Sequence, residues 1–382
     1  MKKLILEAIV FCAIILVVSY SFAQTWWQTS ARAAYVAVSA DGRKIVAYNS
    51  TAPSVYSTNA GVTWSTNGLI YSLSVASSAD GTRLLASQLT YNSKHGVVIS
   101  TNSGATWIQT PLPDDDRSCT CSPDGSTLAV SGDELIFVST NAGASWQTNN
   151  LPASDIWSLA SSATGTRLVA AAYYSGTMYF STNRGQTWSP TGAPTSGYSW
   201  HSVACSADGK HVAATGFAGT VISSNSGESW ISSDIRGYRV ACSADGSKWI
   251  IGGDTDYPSS NDFIYTSIDF GMSWTSTNIP GLGCWSVASS ADGSELAAGG
   301  VSRLWLWQAT PHPQIVPLRS ATNLNLSWTL PSTNFVLQQN ADLTTANWTD
   351  VPNAPVLNFT DLQYQATLPL AGGSGFYRLQ TK

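Results

Sequence analysis

"STNAGVTW", Ser57 to Trp64, decides the fold because the chain writes it six times. Close copies are STNSGATW ending at Trp107, STNAGASW at Trp146, STNRGQTW at Trp188, SSNSGESW at Trp230 and SIDFGMSW at Trp274. They start at Ser57, Ser100, Ser139, Ser181, Ser223 and Ser267, in steps of 43, 39, 42, 42 and 44 residues. A nearly constant period of this length signals an array of like supersecondary units. A second motif alternates with the octet, a Val-Ala-Ser-Ser-Ala-Asp-Gly type run. Its Asp-Gly begins at Asp41, Asp80, Asp124, Asp208, Asp245 and Asp292, and Thr164-Gly165 takes its place once.

Each period parses into four short strands. "WSVASSADG", 285–293, is a strand of small residues ending in a tight turn, where Gly supplies positive φ. "TRLVAAA" from Thr166, "TMYFSTN" from Thr177 and "QTWSPT" from Gln186 give the other three. Four strands per period make one β-propeller blade. No helical periodicity follows the first two dozen residues. The last unit stops after three strands, at Gln308. The segment Thr25-Trp26-Trp27-Gln28-Thr29 matches Ala144-Ser145-Trp146-Gln147-Thr148, with Trp27 in the place of Trp146. It therefore reads as the missing fourth strand. The expected fold is all-β: a seven-bladed propeller over 25–308, closed by its N-terminal strand so that no edge stays open.

The octet is expected to be the tip of the hairpin between strands three and four. Its third residue (Asn59, Asn102, Asn141, Asn183, Asn225 and Asp269) accepts hydrogen bonds from the turn backbone. Its fifth (Gly61, Gly104, Gly143, Gly185, Gly227 and Gly271) takes a backbone conformation closed to other residues. Its eighth (Trp64, Trp107, Trp146, Trp188, Trp230 and Trp274) wedges between blades.

Ser-x-Asp-x-Gly-x-x-Trp is the Asp-box, or bacterial neuraminidase repeat, and the chain resembles the propellers that carry it. These are the sialidases, sortilin-type receptors, xyloglucan hydrolases and photosystem II assembly-factor-like propellers. The resemblance implies that the box is structural and lies on the face opposite the binding site. A turn-capping role tolerates Asn for Asp, as five of the six boxes here have it; a catalytic role would not. The sialidase set of three arginines, a Tyr–Glu pair and an Arg-Ile-Pro-type motif is not assignable. Arg43, Arg83 and Arg167 follow Asp-Gly type turns and are read as solvated charges produced by repetition.

Only 11% of the residues are charged and the net charge is −5. The absence of a basic run argues against nucleic acid and anionic membrane as partners. Met-Lys-Lys, an apolar run from Ala8 to Val18 and small residues ending at Ala23 read as a signal peptide over 1–23. An exported protein (secreted, periplasmic or on the cell surface) with no membrane span after cleavage is expected. Cys119, Cys121, Cys205, Cys242 and Cys284 are scattered and odd in number, so they make no disulfide framework. Cys121, Cys205 and Cys242 stand where other repeats have Ser, as small core residues.

The site is expected where position repeats but residue type varies. Seven residues before each Asp-Gly type turn stand Ala34, Leu73, Arg117, Trp157, His201, Tyr238 and Trp285. They should circle one mouth of the central channel. Loops between strands two and three open on the same face and add Tyr91, Tyr173, Tyr174, Phe217 and Tyr257. An aromatic concave face with a few polar groups suits sugars or peptides. The ligand-binding set is thus Arg117, Trp157, His201, Tyr238, Trp285, Tyr174 and Tyr257. The expected function is non-enzymatic binding of an extracellular glycan or protein, with no cofactor. Two alternatives stay open. One is a glycoside hydrolase or lyase using loop acids, with Asp254, Asp256 and Asp114-Asp115-Asp116 as candidates; such chemistry needs two carboxylates across a cleft. The other is an assembly factor resembling the photosystem propellers. "DTDYPSSND", Asp254 to Asp262, also offers hard oxygens for Ca²⁺ but lacks EF-hand spacing.

Pro311, Pro313 and Pro317 mark a linker, placed at 309–313. "LNLSWTL", "NFVLQQNADL", "NWTDVP", "QATLPL" and "GFYRLQ" then alternate as short strands over 314–382. A small β-sandwich, fibronectin-III-like, is expected there, with surface attachment or sorting as its candidate role.

Overall fold

The computed structural model describes residues 26–382 except 32, 49–53, 67–71, 90–94, 114–117, 133–134, 152–154, 196–198, 254–262, 280–281, 301–302, 309–314, 321, 330–334, 341–346, 353–354, 359–362, 370–375 and 382. The described residues contain strands and turns and no helix. Seven four-stranded antiparallel sheets are the blades. In blade one the strands are Tyr35–Val38, Ile45–Tyr48, Val55–Ser57 and Ser65–Thr66, from the axis outward. Blade seven takes Cys284–Ser289, Glu295–Gly300 and Leu304–Gln308, and its outer strand is Trp26–Gln28. The ring is therefore closed by the chain's N-terminal strand, as expected.

The register of that closure corrects the sequence alignment by one residue. Trp27 pairs with Leu306, and Leu306 holds the place that Phe180 holds in blade four. Phe180 pairs with Ser189, the residue after the octet Trp188. Trp26, not Trp27, thus stands at the octet tryptophan's position. It packs into the core between blades six and seven, while Trp27 is 38% exposed. Adjacent strand residues face opposite sides, so a one-residue slip exchanges the two rings. Some outer strands are also shorter than expected. Blade four has only Ser189–Pro190, and Trp188 belongs to the turn.

The cores lie between blades rather than within them. Trp188 packs against Ile136 and Val138 of the preceding blade, and Trp64 against Leu304 and Leu306 of blade seven. The octet turn holds its shape by the same bonds in the first five copies. In the first, Gly61 N–H donates to Ser57 Oγ at 2.9 Å, Thr63 N–H donates to Asn59 Oδ1 at 2.9 Å, and Asn59 Nδ2 donates to Thr63 Oγ1 at 2.9 Å. In the sixth, Asp269 cannot donate, and the Ser273 hydroxyl reverses to donate to it. That reversal is the reason Asn and Asp interchange here. The residue before each octet glycine also adopts positive φ, from Ala60 (55°) to Phe270 (60°). Its N–H reaches the carbonyl near the blade's own Asp-Gly turn, as in Ala60 to Arg43 at 2.8 Å. The glycine has a further constraint: a Cβ on Gly143 would lie 2.3 Å from Ile99 Cδ1 of the preceding blade.

The turn between strands one and two carries its own ring of contacts. Lys44, Arg83, Thr127, Arg167, His211, Lys248 and Glu295 each lie against the turn glycine of the next blade. Arg83 and Arg167 are therefore packing stems that snorkel, not merely solvated charges. Arg43, one residue out of register, is exposed. His211 packs on Gly246 and lies 4.9 Å from the Phe270 ring.

At the axis the blades are laced by backbone. Ala40 N–H bonds Ala79 O, Ala79 bonds Pro123, Ala163 bonds Ala207, Ala207 bonds Ala244, Ala244 bonds Ala291 and Ala291 returns to Ala40, at 2.6–2.9 Å. Pro123 has no N–H, which opens the lace between blades three and four. Cys121, Cys205 and Cys242, at the ends of their inner strands, lie near this end. Cys205 and Cys242 pack against the inter-blade cores as small residues and also line a cavity of about 160 Å³ beneath the ring. Burial pushes the Cys205 thiol up to about 12, so it is not a thiolate at neutral pH.

The C-terminal residues form two sheets. One orders Val316–Arg319, Asn323–Thr329, Gln363–Pro369 and Val356–Asn358; the other orders Thr349–Asp350, Phe335–Asn340 and Phe376–Thr381. Leu326, Trp328, Leu337, Ala366 and Leu368 fill the space between them. The Arg378 guanidinium sits 4.3 Å over the Trp348 ring, joining the two end motifs of this module. Tyr364 packs both on the module's core, 6.0 Å from the Trp328 ring, and on the Ala40–Ala79–Ala291 ring at the Asp-Gly end of the channel.

Candidate functional site

The opposite channel mouth is built by a repeated irregularity. Strand one of four blades is bulged, between Ser72 and Ser74, Ile156 and Ser158, Trp200 and Ser202, and Cys284 and Ser286. The extra residue is Leu73, Trp157, His201 or Trp285, each from the sequence-chosen circle. A bulge releases one residue from the ladder and re-aims its side chain. Blades one and six have no bulge there: Ala34 N–H and Tyr238 N–H bond Tyr48 O and Gly252 O directly.

The bulged Trp157, His201 and Trp285 meet Tyr238 and the loop rings Tyr173, Tyr174 and Phe217 across blades four to seven. Trp157 stacks on Tyr173 with centroids 4.3 Å apart and planes at 18°. Tyr173 meets His201 edge-on at 5.1 Å. His201 touches Phe217 and Tyr238, each at 4.5 Å, and Tyr238 lies 6.5 Å from Trp285. Tyr174 extends the row at 5.0 Å from Tyr173 and is 73% exposed. Trp157 and Trp285, at 36% and 41% exposed, leave much of their rings to solvent. Five of the seven expected residues are thus brought together: Trp157, Tyr174, His201, Tyr238 and Trp285. Arg117 and Tyr257 lie outside the described residues, as do Tyr91, Asp114–Asp116, Asp254, Asp256 and Asp262. Ala34 is buried and adds no reach.

His201 is the pivot of the row. It is only 2% exposed, and neither ring nitrogen has a hydrogen-bond partner. Burial first, and then the Arg239 charge, push its imidazole down to about 4, so it is neutral at pH 7.

Below the mouth lies a cavity of about 150 Å³. One residue further along each strand one, the side chains Tyr35, Ser74, Ser118, Ser158, Ser202, Arg239 and Ser286 line it. Four of the serines accept a backbone N–H from the next blade: Cys119 to Ser74, Val203 to Ser158, Val240 to Ser202 and Val36 to Ser286, at 2.9–3.2 Å. Sequence reasoning stopped one residue short of this ring. Its signal was nevertheless present: five serines in register, interrupted by Tyr35 and Arg239. The Arg239 guanidinium donates to Tyr238 O at 2.9 Å and His201 O at 3.2 Å, which fixes it beside the histidine.

Fold and repeat together define an Asp-box β-propeller. The BNR/Asp-box repeat model matches residues 179–190, the fourth octet with its flanks. Among solved structures, YCF48 bound to D1 peptide aligns at a TM-score of 0.57 and 16% identity, over 77% of this chain and 99% of that one. The GH74 xyloglucanase from Xanthomonas campestris aligns at 0.57 and 13%, over 80% of this chain and 59% of its own. Kuenenia stuttgartiensis hydrazine synthase aligns at 0.58 and 16%, over 76% and 99%. No curated protein sequence matches the chain. Likeness at this identity is a likeness of fold, and these neighbours differ in function.

Proposed function

We propose that the protein is an exported, non-enzymatic binding propeller that takes an extracellular glycan at its aromatic channel mouth. The observation that carries this reading is the unbroken row from Tyr174 to Trp285 across four blades. Flat, partly exposed rings on a rigid, closed scaffold lose little entropy on binding and offer stacking faces to sugar rings. Export rests on the apparent signal at 1–23, and the C-terminal module would serve attachment or sorting. A protein ligand is the second reading, supported by the neighbour that holds a peptide.

A glycan array probed with the mature protein tests the proposal. Binding that Trp157→Ala and Trp285→Ala both weaken, without turnover of the bound glycan, is the expected result. Hydrolysis of the glycan would replace it with the hydrolase alternative. Binding unaffected by either substitution would move the ligand away from the mouth.

A further inference from the structure

The wall beneath the aromatic mouth contains a charge that no carboxylate among the described residues meets. Among the described residues Arg239 has no carboxylate partner; its guanidinium donates to two backbone carbonyls. Its neighbours in the cavity wall are serines, Tyr35, His201 and apolar side chains. Burial alone lowers its tendency to hold the proton, yet a guanidinium does not deprotonate in proteins. A cation taken from water and left unpaired is destabilising, whereas the other six blades place serine or, in blade one, Tyr35 at this position at no such disadvantage. Beside it, His201 lines the same cavity with both ring nitrogens unpartnered and nearly all its surface buried. A neutral imidazole keeps one N–H donor. A guanidinium and an imidazole N–H converging on one small cavity form a receptor for an anion.

We propose that Arg239 and His201 receive a carboxylate borne by the ligand that stacks on the mouth, and that this ligand is an acidic, uronate-containing glycan. The proposal rests on the mouth being a binding surface and adds the chemistry of the group that enters the channel. The carboxylate accepts from the guanidinium fork and from the imidazole N–H, with the Ser202 and Ser158 ring around it. The sugar ring that carries it lies on the Trp157 or Tyr238 side of the mouth. A peptide is the weaker occupant for a structural reason. The inner-strand N–H groups of Val36, Cys119, Val203 and Val240 are already held by serine hydroxyls, so the wall offers no free backbone ladder to an extended chain.

The test is calorimetric titration of the whole mature protein with tetragalacturonate and with its methyl ester, which keeps the sugars and removes the charge. The expected result is binding of the acid at least about tenfold tighter than the ester, the size of one charge-assisted hydrogen bond. Arg239→Gln should abolish that difference, Arg239→Lys should keep part of it, and added salt should shrink it. Trp157→Ala should weaken both forms alike. If acid and ester bind equally and both respond to Trp157→Ala, the anion receptor is wrong while the mouth reading stands. If only peptides with a free terminal carboxylate bind, through Arg239, the glycan assignment is overturned. If neither sugar nor peptide binds, both readings fall. Should Arg239→Gln not fold, the acid-to-ester ratio of the unaltered protein decides the matter.

Discussion

The Trp157 and Tyr173 rings stack face to face, 4.3 Å between centroids, although one lies on a bulge of strand one and the other on the loop after strand two. The pair joins two parts of blade four into a single flat platform at the channel mouth. Trp157→Ala is therefore expected to weaken ligand binding by about 1–3 kcal/mol, as for a central aromatic contact. The melting temperature should change little, because the ring is already 36% exposed. Titration and thermal unfolding of the same variant check both parts.

The octet separates two kinds of substitution. Asn141→Asp should leave stability within about 0.5 kcal/mol, since the Ser145 hydroxyl can reverse its bond as Ser273 does. Gly143→Ala should cost more than about 2 kcal/mol, because φ is 91° and the added methyl meets Ile99. Chemical denaturation of the two variants gives the contrast.

Closure of the ring predicts an asymmetry between adjacent tryptophans. Trp26→Ala should destabilise by roughly 2–4 kcal/mol, as loss of a packed aromatic does. Trp27→Ala should cost less than about half of that, its ring being 38% exposed. Equal losses from the two would contradict the register of Trp26 with Trp307.

His201 gives a pH signature. Its imidazole titrates near 4 in the folded chain against 6.5 when unperturbed. Between those values the unfolded chain binds a proton that the folded one does not, so stability falls as pH drops from about 6.5 to about 4. His201→Phe should flatten the unfolding free energy across that window. Asp80, Asp124, Asp208 and Asp245 act lower. Desolvation works against each of them, but hydrogen bonds from Ser78, Ser122, Ser206 and Ser243 hold them below the usual carboxylate value. Their contribution is lost only as pH falls below about 3.8, which keeps the two effects apart.

Tyr364 predicts how the C-terminal module is held. Burial raises its phenol, with the Asp41 charge adding to the shift, which places it against blade one's turn. Tyr364→Ala should free the module, read as faster proteolysis between 309 and 314 with the propeller's own unfolding unchanged. A cleavage rate equal to that of the unaltered chain would place the contact elsewhere.

The sequence by itself determined the frame. A period near 42, an Asn or Asp and a Gly in each octet, and a small-residue strand before each Asp-Gly leave few folds but a propeller, because each feature is local and repeated. It also pointed to the mouth, since Trp157, His201, Tyr238 and Trp285 share one register with no shared chemistry. The tertiary structure decided what local pattern cannot carry. Trp26 rather than Trp27 faces the core because pairing with Leu304–Gln308, nearly 280 residues away, sets the strand's face. Bulges aim Trp157, His201 and Trp285, and a bulge depends on the partner strand's register rather than on composition. Arg239 beside an unpartnered His201 became visible only when blades five and six were set side by side around the axis, since 38 residues of sequence separate them.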